Sequence, residues 1–218
     1  MKFAALICLA LTVETVPAHY IFKTLIADTK TSTQAVLQPQ NNSPVHNYTS
    51  GRGIVCNVNP SPAGETMPVA AGGKIGFQLD AAIYHIGPAA IYLGQAPGSA
   101  AQWDGTGQRW FKIAEWGATF NPFTFSGLNQ KSLITTIPKN TPSGEYLIRA
   151  EQFGLHNPGS PEIFVSCAQI KVTNGGSGSP PKVSIPGYIP DGNESVMLNV
   201  YWPVPTDYTC PGPTVWRG

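Results

Sequence analysis

The chain is poor in charge. Asp, Glu, Lys and Arg make up 11% of its 218 residues, where an ordinary soluble domain carries about 25%. The 13 basic and 12 acidic residues leave a formal charge of +1, so no basic surplus exists to neutralise nucleic-acid phosphates. No apolar run approaches the roughly 20 residues needed to cross a bilayer. Sustained 3.6-residue periodicity is missing too, which argues against a helical architecture. Gly-x-Ser-x-Gly, His-Glu-x-x-His and phosphate-loop signatures are absent, and no carboxylate pair reads as a hydrolase dyad. With nucleic acid, membrane and common hydrolase chemistry set aside, what remains is a neutral, turn-rich globule.

What is present fits that description. Gly and Pro number 23 and 21, and 42% of residues are hydrophobic, too apolar for a disordered chain. Short β-prone runs cover residues 74–79, 89–93, 132–137, 145–150 and 163–172. Pro-Ser-Pro at 60–62, Gly-Gly at 72–73, Pro-Ser-Gly at 142–144 and Asn-Gly-Gly at 174–176 punctuate them. Many short strands between such breaks predict an all-β, antiparallel β-sandwich with long loops. The Gly/Ser/Pro stretch at 175–181 resembles a linker, but the 37 residues after it are too few for an independent domain. It is read as a loop, with the tail packing back on the sandwich, and Trp110, Phe111 and Trp216 are assigned to the core.

The N-terminus reads as a secretion signal. Lys2 precedes an apolar run over residues 3–13, and Val16 and Ala18 are small residues placed for cleavage after Ala18. Residues 1–18 are therefore expected to be a signal peptide and 19–218 a single secreted sandwich domain, with no membrane span. Cys8 leaves with the leader, so Cys56, Cys167 and Cys210 remain. One bridge and one unpaired thiol is the simplest account in an oxidising compartment. Sequons begin at Asn41, Asn47 and Asn193, candidate glycosylation sites of a eukaryotic secreted protein.

Cleavage after Ala18 makes His19 the first residue. A terminal histidine offers two nitrogens at once, its α-amine and ring Nδ1, which can chelate one metal ion. A third nitrogen from a distant histidine would complete a three-nitrogen site, a donor set suited to copper. The α-amine has an ordinary pKa of about 7.7–8.0, so a metal displaces its proton near neutral pH at modest cost. His46, His85 and His156 are the other histidines; His46 lies in a polar, sequon-rich loop and reads as surface.

The residues in sequence order carry a resemblance. They include His19-Tyr20, Thr49-Ser50 leading to Cys56, residues 69–73 before a strand, His85-Ile86-Gly87-Pro88 and Trp110-Phe111-Lys112-Ile113. Residues 142–151, Leu155-His156, Ser166-Cys167-Ala168-Gln169-Ile170, residues 183–187 and residues 211–216 continue it. Across essentially the whole chain after Ala18, this pattern resembles the fungal auxiliary-activity family nine lytic polysaccharide monooxygenases. The resemblance implies an immunoglobulin/fibronectin-like sandwich whose flat face carries one copper ion in a histidine brace. The amine and Nδ1 of His19 and Nε2 of His85 would be its ligands. It further implies a Cys56–Cys167 disulfide and a hydrogen-bonding role for His156 beside the metal. Oxidative cleavage of cellulose or a related β-glucan at C1 or C4 would follow, by a secreted monomer. Peroxide or dioxygen would be the oxidant, and a small reductant or a redox partner protein the electron source.

Two positions depart from the family's pattern. Glu162 stands where a Gln is usual and Phe164 where a Tyr is usual. Two residues apart on one strand, they share a face, which would be the metal side, while Cys167 points to the other. Phe164 would fill the axial position without ligating. Glu162 would either donate a proton to the reactant, as a general acid does, or bind the metal itself. These departures raise a second reading, a copper-binding protein with lost or altered redox activity. A third is a metal-free sandwich that binds polysaccharide. For the substrate face, Tyr208 matches a position where the family often places a stacking tyrosine, and Tyr20 beside the brace is a further candidate.

Overall fold

The computed structural model describes residues 19–218; the expected leader, residues 1–18, lies outside the described residues. Strands β1 (Phe22–Ala27), β2 (Lys30–Ser32) and β3 (Val36–Leu37) precede a short helix α1 (Gly53–Cys56). Next come β4 (Met67–Ala70), β5 (Lys74–Leu79), β6 (Ala89–Gln95), β7 (Gln108–Trp116), β8 (Ala118–Thr119) and β9 (Thr124–Phe125). The series closes with β10 (Ser132–Thr136), β11 (Gly144–Gly154), β12 (Glu162–Thr173), β13 (Val183–Ser184) and helix α2 (Glu194–Met197). All five runs expected from the sequence are strands, and β11 runs further toward the C-terminus than its apolar pattern reached.

Two sheets form the sandwich. One has the order β10-β5-β1-β2 and the other β13-β7-β6-β11-β12-β3; the small β8–β9 hairpin stands apart. Pairing is antiparallel except where β4 runs parallel to β12. The fold is the all-β sandwich expected.

Both faces of the larger sheet are covered, because β11 and β12 alternate apolar residues to either side. Ile148, Ala150, Phe164, Ala168 and Ile170 meet Leu25, Ile75 and Phe77 of the smaller sheet in the core between layers. Leu147, Phe153, Ile163, Val165 and Cys167 face the other way, beneath α1 and the irregular C-terminal segment with Ile185, Tyr188 and Val200. Because both sides are covered, β11 is buried at almost every position rather than at alternate ones, its Arg149, Glu151 and Gln152 included. Trp110 and Phe111 are buried, and Trp216 packs on the inter-sheet core. The tail does fold back, with Trp216 N–H donating to Lys112 O at 2.8 Å.

Cys56 of α1 is bridged to Cys167 of β12, with Cα atoms 5.1 Å apart. The bridge closes a sequence separation of 111 residues, and restricting so long a loop in the unfolded chain is worth about 4–5 kcal/mol. Cys210 is unpaired and partly buried. Beside the bridge, the Arg149 guanidinium donates to the Ile54 and Val55 carbonyls of α1 and to the Glu151 carboxylate at 2.6 Å. Burial alone would pull that guanidinium's pKa down, but the adjacent Glu151 carboxylate holds it above its ordinary value.

Candidate metal centre

His19 precedes β1 and is held by its backbone. Asn42 Nδ2 donates to the His19 carbonyl at 3.3 Å, and Ile21 N–H donates to Asp80 Oδ1 at 2.8 Å. His85 sits in the loop between β5 and β6. Gln152 Nε2, from β11, donates to the His85 carbonyl at 3.1 Å and to the Phe153 carbonyl at 2.6 Å, while Tyr20 Oη donates to Gln152 Oε1 at 2.5 Å. The His85 loop also approaches β11 closely. Gly87 adopts φ +149°, and a Cβ there would stand 1.9 Å from the Phe153 carbonyl oxygen. That contact is the physical reason for glycine in His85-Ile86-Gly87-Pro88.

His156 follows the end of β11, and Glu162 and Phe164 open β12. Gln152 pairs with Phe164 and Gly154 with Glu162 in the β11–β12 register. Phe164 therefore points to the inter-sheet core while Cys167 faces the opposite side, the alternation the spacing implied. His85 stacks with His156 at 4.0 Å between ring centroids and with Phe164 at 5.4 Å, each with planes 15° apart. Gly154 allows this stack, since a Cβ there would lie 3.2 Å from both His156 Nδ1 and His85 Cβ. The His19 ring is 5.8 Å from His85 and 5.5 Å from Phe164.

Donor atoms of His19, His85 and Glu162 all lie within 4.8 Å of one another. Glu162 Oε2 stands 3.7 Å from both His19 Nε2 and His156 Nε2, too far for a hydrogen bond. Its atom is buried and has no hydrogen-bond partner. The side chains of His19, Glu162 and His156 keep 29%, 16% and 25% of their exposure, so the cluster opens to the surface. Three clefts of about 340, 400 and 450 Å³ are lined by none of these residues. The cluster is thus accessible at the surface through its partly exposed imidazoles.

The two tyrosines proposed for substrate contact are differently placed. Tyr20 is 1% exposed; its ring packs on Phe164 at 4.5 Å and burial raises its phenol pKa far above the ordinary value. A ring with no free face cannot stack on a sugar, so Tyr20 is a supporting residue instead. Tyr208 is half-buried, with its hydroxyl donating to Ser195 O at 2.8 Å and its ring edge-on to Phe125. That is the environment of a ring packing the tail.

The exposed aromatics are others. Tyr201 and Trp202 are 55% and 78% exposed, and Tyr84 is 36% exposed. Tyr201 Oη donates to the His156 carbonyl at 3.1 Å, and Tyr84 lies 4.8 Å from the His85 ring. The available signal for Tyr201 and Trp202 was an aromatic pair beside prolines; Gln152, which follows Arg149 and Glu151 in β11, carried no such signal. His46, Asn41 and Asn47 are exposed, whereas Asn193 is partly buried and caps α2 by accepting from Ser195 N–H. Among the described residues no helix is long and apolar enough to cross a membrane.

Comparison with known proteins agrees with this architecture. The profile of Auxiliary Activity family 9, formerly GH61, matches residues 19–208. A lytic polysaccharide monooxygenase of that family from Malbranchea cinnamomea is 43% identical over 217 residues, covering 92% of this chain and 93% of the relative. One from Emericella nidulans is 39% identical over 232 residues, covering both chains in full. The crystal structure of a cellulose-active polysaccharide monooxygenase from M. thermophila superposes with a TM-score of 0.80 at 27% identity, over 92% of this chain and 100% of that one. With this sandwich and its open imidazole cluster, the chain belongs to Auxiliary Activity family 9 and is an oxidoreductase of polysaccharide cleavage.

Proposed function

We propose that the secreted protein begins at His19, binds one copper ion there, and oxidatively cuts β-1,4-glucan, cellulose foremost. The observation that carries this reading is the convergence of His19 and His85 on one open face, with donor atoms close enough for a single ion. Two neutral imidazoles and a terminal amine fit copper, which heads the divalent affinity order and as Cu(I) accepts few ligands. Cleavage after Ala18 supplies the amine, and His19 then contributes two nitrogens through its amine and Nδ1, with Nε2 of His85 as the third. When bound, copper supplies one-electron chemistry that draws on a reductant and peroxide or dioxygen to oxidise C1 or C4 beside the glycosidic bond.

The chain's own residues prepare that chemistry. Gln152 and Gly87 fix the His85 loop, Asn42 holds the His19 carbonyl, and Tyr20 locks Gln152. Phe164 fills the space beneath the rings with a hydrocarbon and no ligating oxygen, which keeps water from that side. His156 Nε2 stands at the rim, where it can exchange a hydrogen bond with a small oxidant. Tyr84, Tyr201 and Trp202 present ring faces or edges to the polymer, and Asn41, Asn47 and Asn193 remain candidate glycosylation sites. Glu162 Oε2 is close enough to act on the ion or on the reactant beside it.

The test is direct. Copper-loaded protein with reductant, peroxide and cellulose should release oxidised oligosaccharides detectable by mass spectrometry; none from any glucan or hemicellulose would end this reading. A second reading, copper binding without robust turnover, rests on Phe164 and Glu162. Gain of cleavage from nothing in the E162Q/F164Y variant would favour it, and strong wild-type cleavage would refute it.

A further inference from the structure

Glu162 Oε2 is the anionic oxygen of the cluster, and its surroundings call for a positively charged partner. It is buried yet accepts no hydrogen bond. The nitrogens that face it, His19 Nε2 and His156 Nε2, both stop at 3.7 Å. Gly154, its register partner, has no side chain to offer, and Phe164, on the same face, has no donor. A carboxylate oxygen withdrawn from water without a donor or a cation is unfavourable. Its position is nonetheless shared with the imidazoles: the donor atoms of His19, His85 and Glu162 lie within 4.8 Å of one another. Two donors at about 2.0–2.2 Å from one ion stand at most ~4.4 Å apart, so the three side chains need an inward adjustment to close the set.

We infer that Glu162 is itself a ligand of the bound copper, joining the two imidazoles as an anionic oxygen donor. This rests on the histidine-brace reading above. The carboxylate removes one positive charge from the centre, and a hard oxygen donor favours Cu(II) over Cu(I). The site therefore holds oxidised copper more tightly, relative to reduced copper, than a nitrogen-only brace would.

The experiment compares wild-type protein, E162Q, E162D and H85A, each recovered from the medium of a eukaryotic host with its N-terminus read by mass spectrometry. Electron paramagnetic resonance of the Cu(II) forms and competition titrations with Cu(II) and Cu(I) are the readouts. E162Q keeps the shape and removes the charge; E162D keeps the charge but is one methylene too short to reach. Ligation predicts that both variants change the Cu(II) spectrum alike and weaken Cu(II) binding about tenfold, with Cu(I) affinity changed less than about threefold. Unchanged spectra in E162Q overturn it. E162D matching wild type while E162Q differs also overturns it, because charge without contact would then suffice. Wild-type copper binding in H85A, or no binding in any form, instead defeats the brace reading itself and the inference with it.

Discussion

β11 and β12 carry two polar clusters, and their difference separates scaffold from site. On one face, Arg149 is fully buried and each of its three guanidinium nitrogens has an acceptor among Ile54 O, Val55 O, Glu151 and Tyr188. At the strand ends, Glu162 Oε2 and His156 Nδ1 are buried with no hydrogen bond, beside rings that are a quarter exposed. A satisfied buried charge fixes a fold. Polar atoms gathered at a surface and left unsatisfied are held ready for something the protein chain does not provide.

The sharpest way to break that contrast is Arg149→Ala. It removes the cation paired with buried Glu151, leaving that carboxylate only its bond from Tyr188 Oη, and the donor to two α1 carbonyls, and should cost about 3–5 kcal/mol of unfolding free energy by chemical denaturation. Copper affinity measured where the variant is folded should stay unchanged; lost affinity with intact stability would reverse the assignment of the clusters. Next comes His85→Ala, expected to weaken copper binding at least about a hundredfold, equivalent to ~2.7 kcal/mol. The same change should move the unfolding free energy by no more than about 1 kcal/mol. A large stability loss there would make the imidazole cluster structural after all.

Trp202→Ala sharpens the picture of the open face. It should weaken binding to insoluble cellulose about five- to tenfold, roughly 1–1.4 kcal/mol, and leave stability within about 0.5 kcal/mol. Equal binding by the variant would remove Trp202 from the substrate face. The smallest functional effect is expected at Cys210, whose thiol is pushed up to about 12, chiefly by burial and then by Glu115. Because the thiolate is the reactive form, the native protein at pH 8 should alkylate more than about a hundredfold slower than the unfolded one. Activity should survive slow modification, and equal labelling rates would contradict the burial.

Much of the fold and part of the site are legible in the sequence. Strand spacing located β5, β6, β10, β11 and β12, because apolar runs bounded by Gly and Pro leave little alternative. The two-residue spacing of Glu162 and Phe164, and the odd offset to Cys167, gave the faces correctly. Strand β1 was not read out, since Phe22–Ala27 follows the leader without a turn signal. Burial of Tyr20 is not legible in the sequence because exposure is not local: it sits beside His19 in sequence yet points between the sheets onto Phe164. Tyr201 and Trp202 owe their exposure to an irregular segment with no periodicity to read. Gln152, which ties Tyr20 to the His85 loop, sits among the buried polar residues of β11, where only tertiary contact reveals its purpose.

The central claim is that the nitrogen freed at His19 joins its own ring and His85 on one copper ion. Retaining a single residue, Ala18, before His19 would block that nitrogen within an amide and leave every side chain in place. Cu(II) titration and paramagnetic resonance of the two forms measure the claim directly. The account predicts a tight site with three nitrogen ligands in the form beginning at His19, and its loss when Ala18 remains. Equal affinity and equal spectra for the two forms would contradict it.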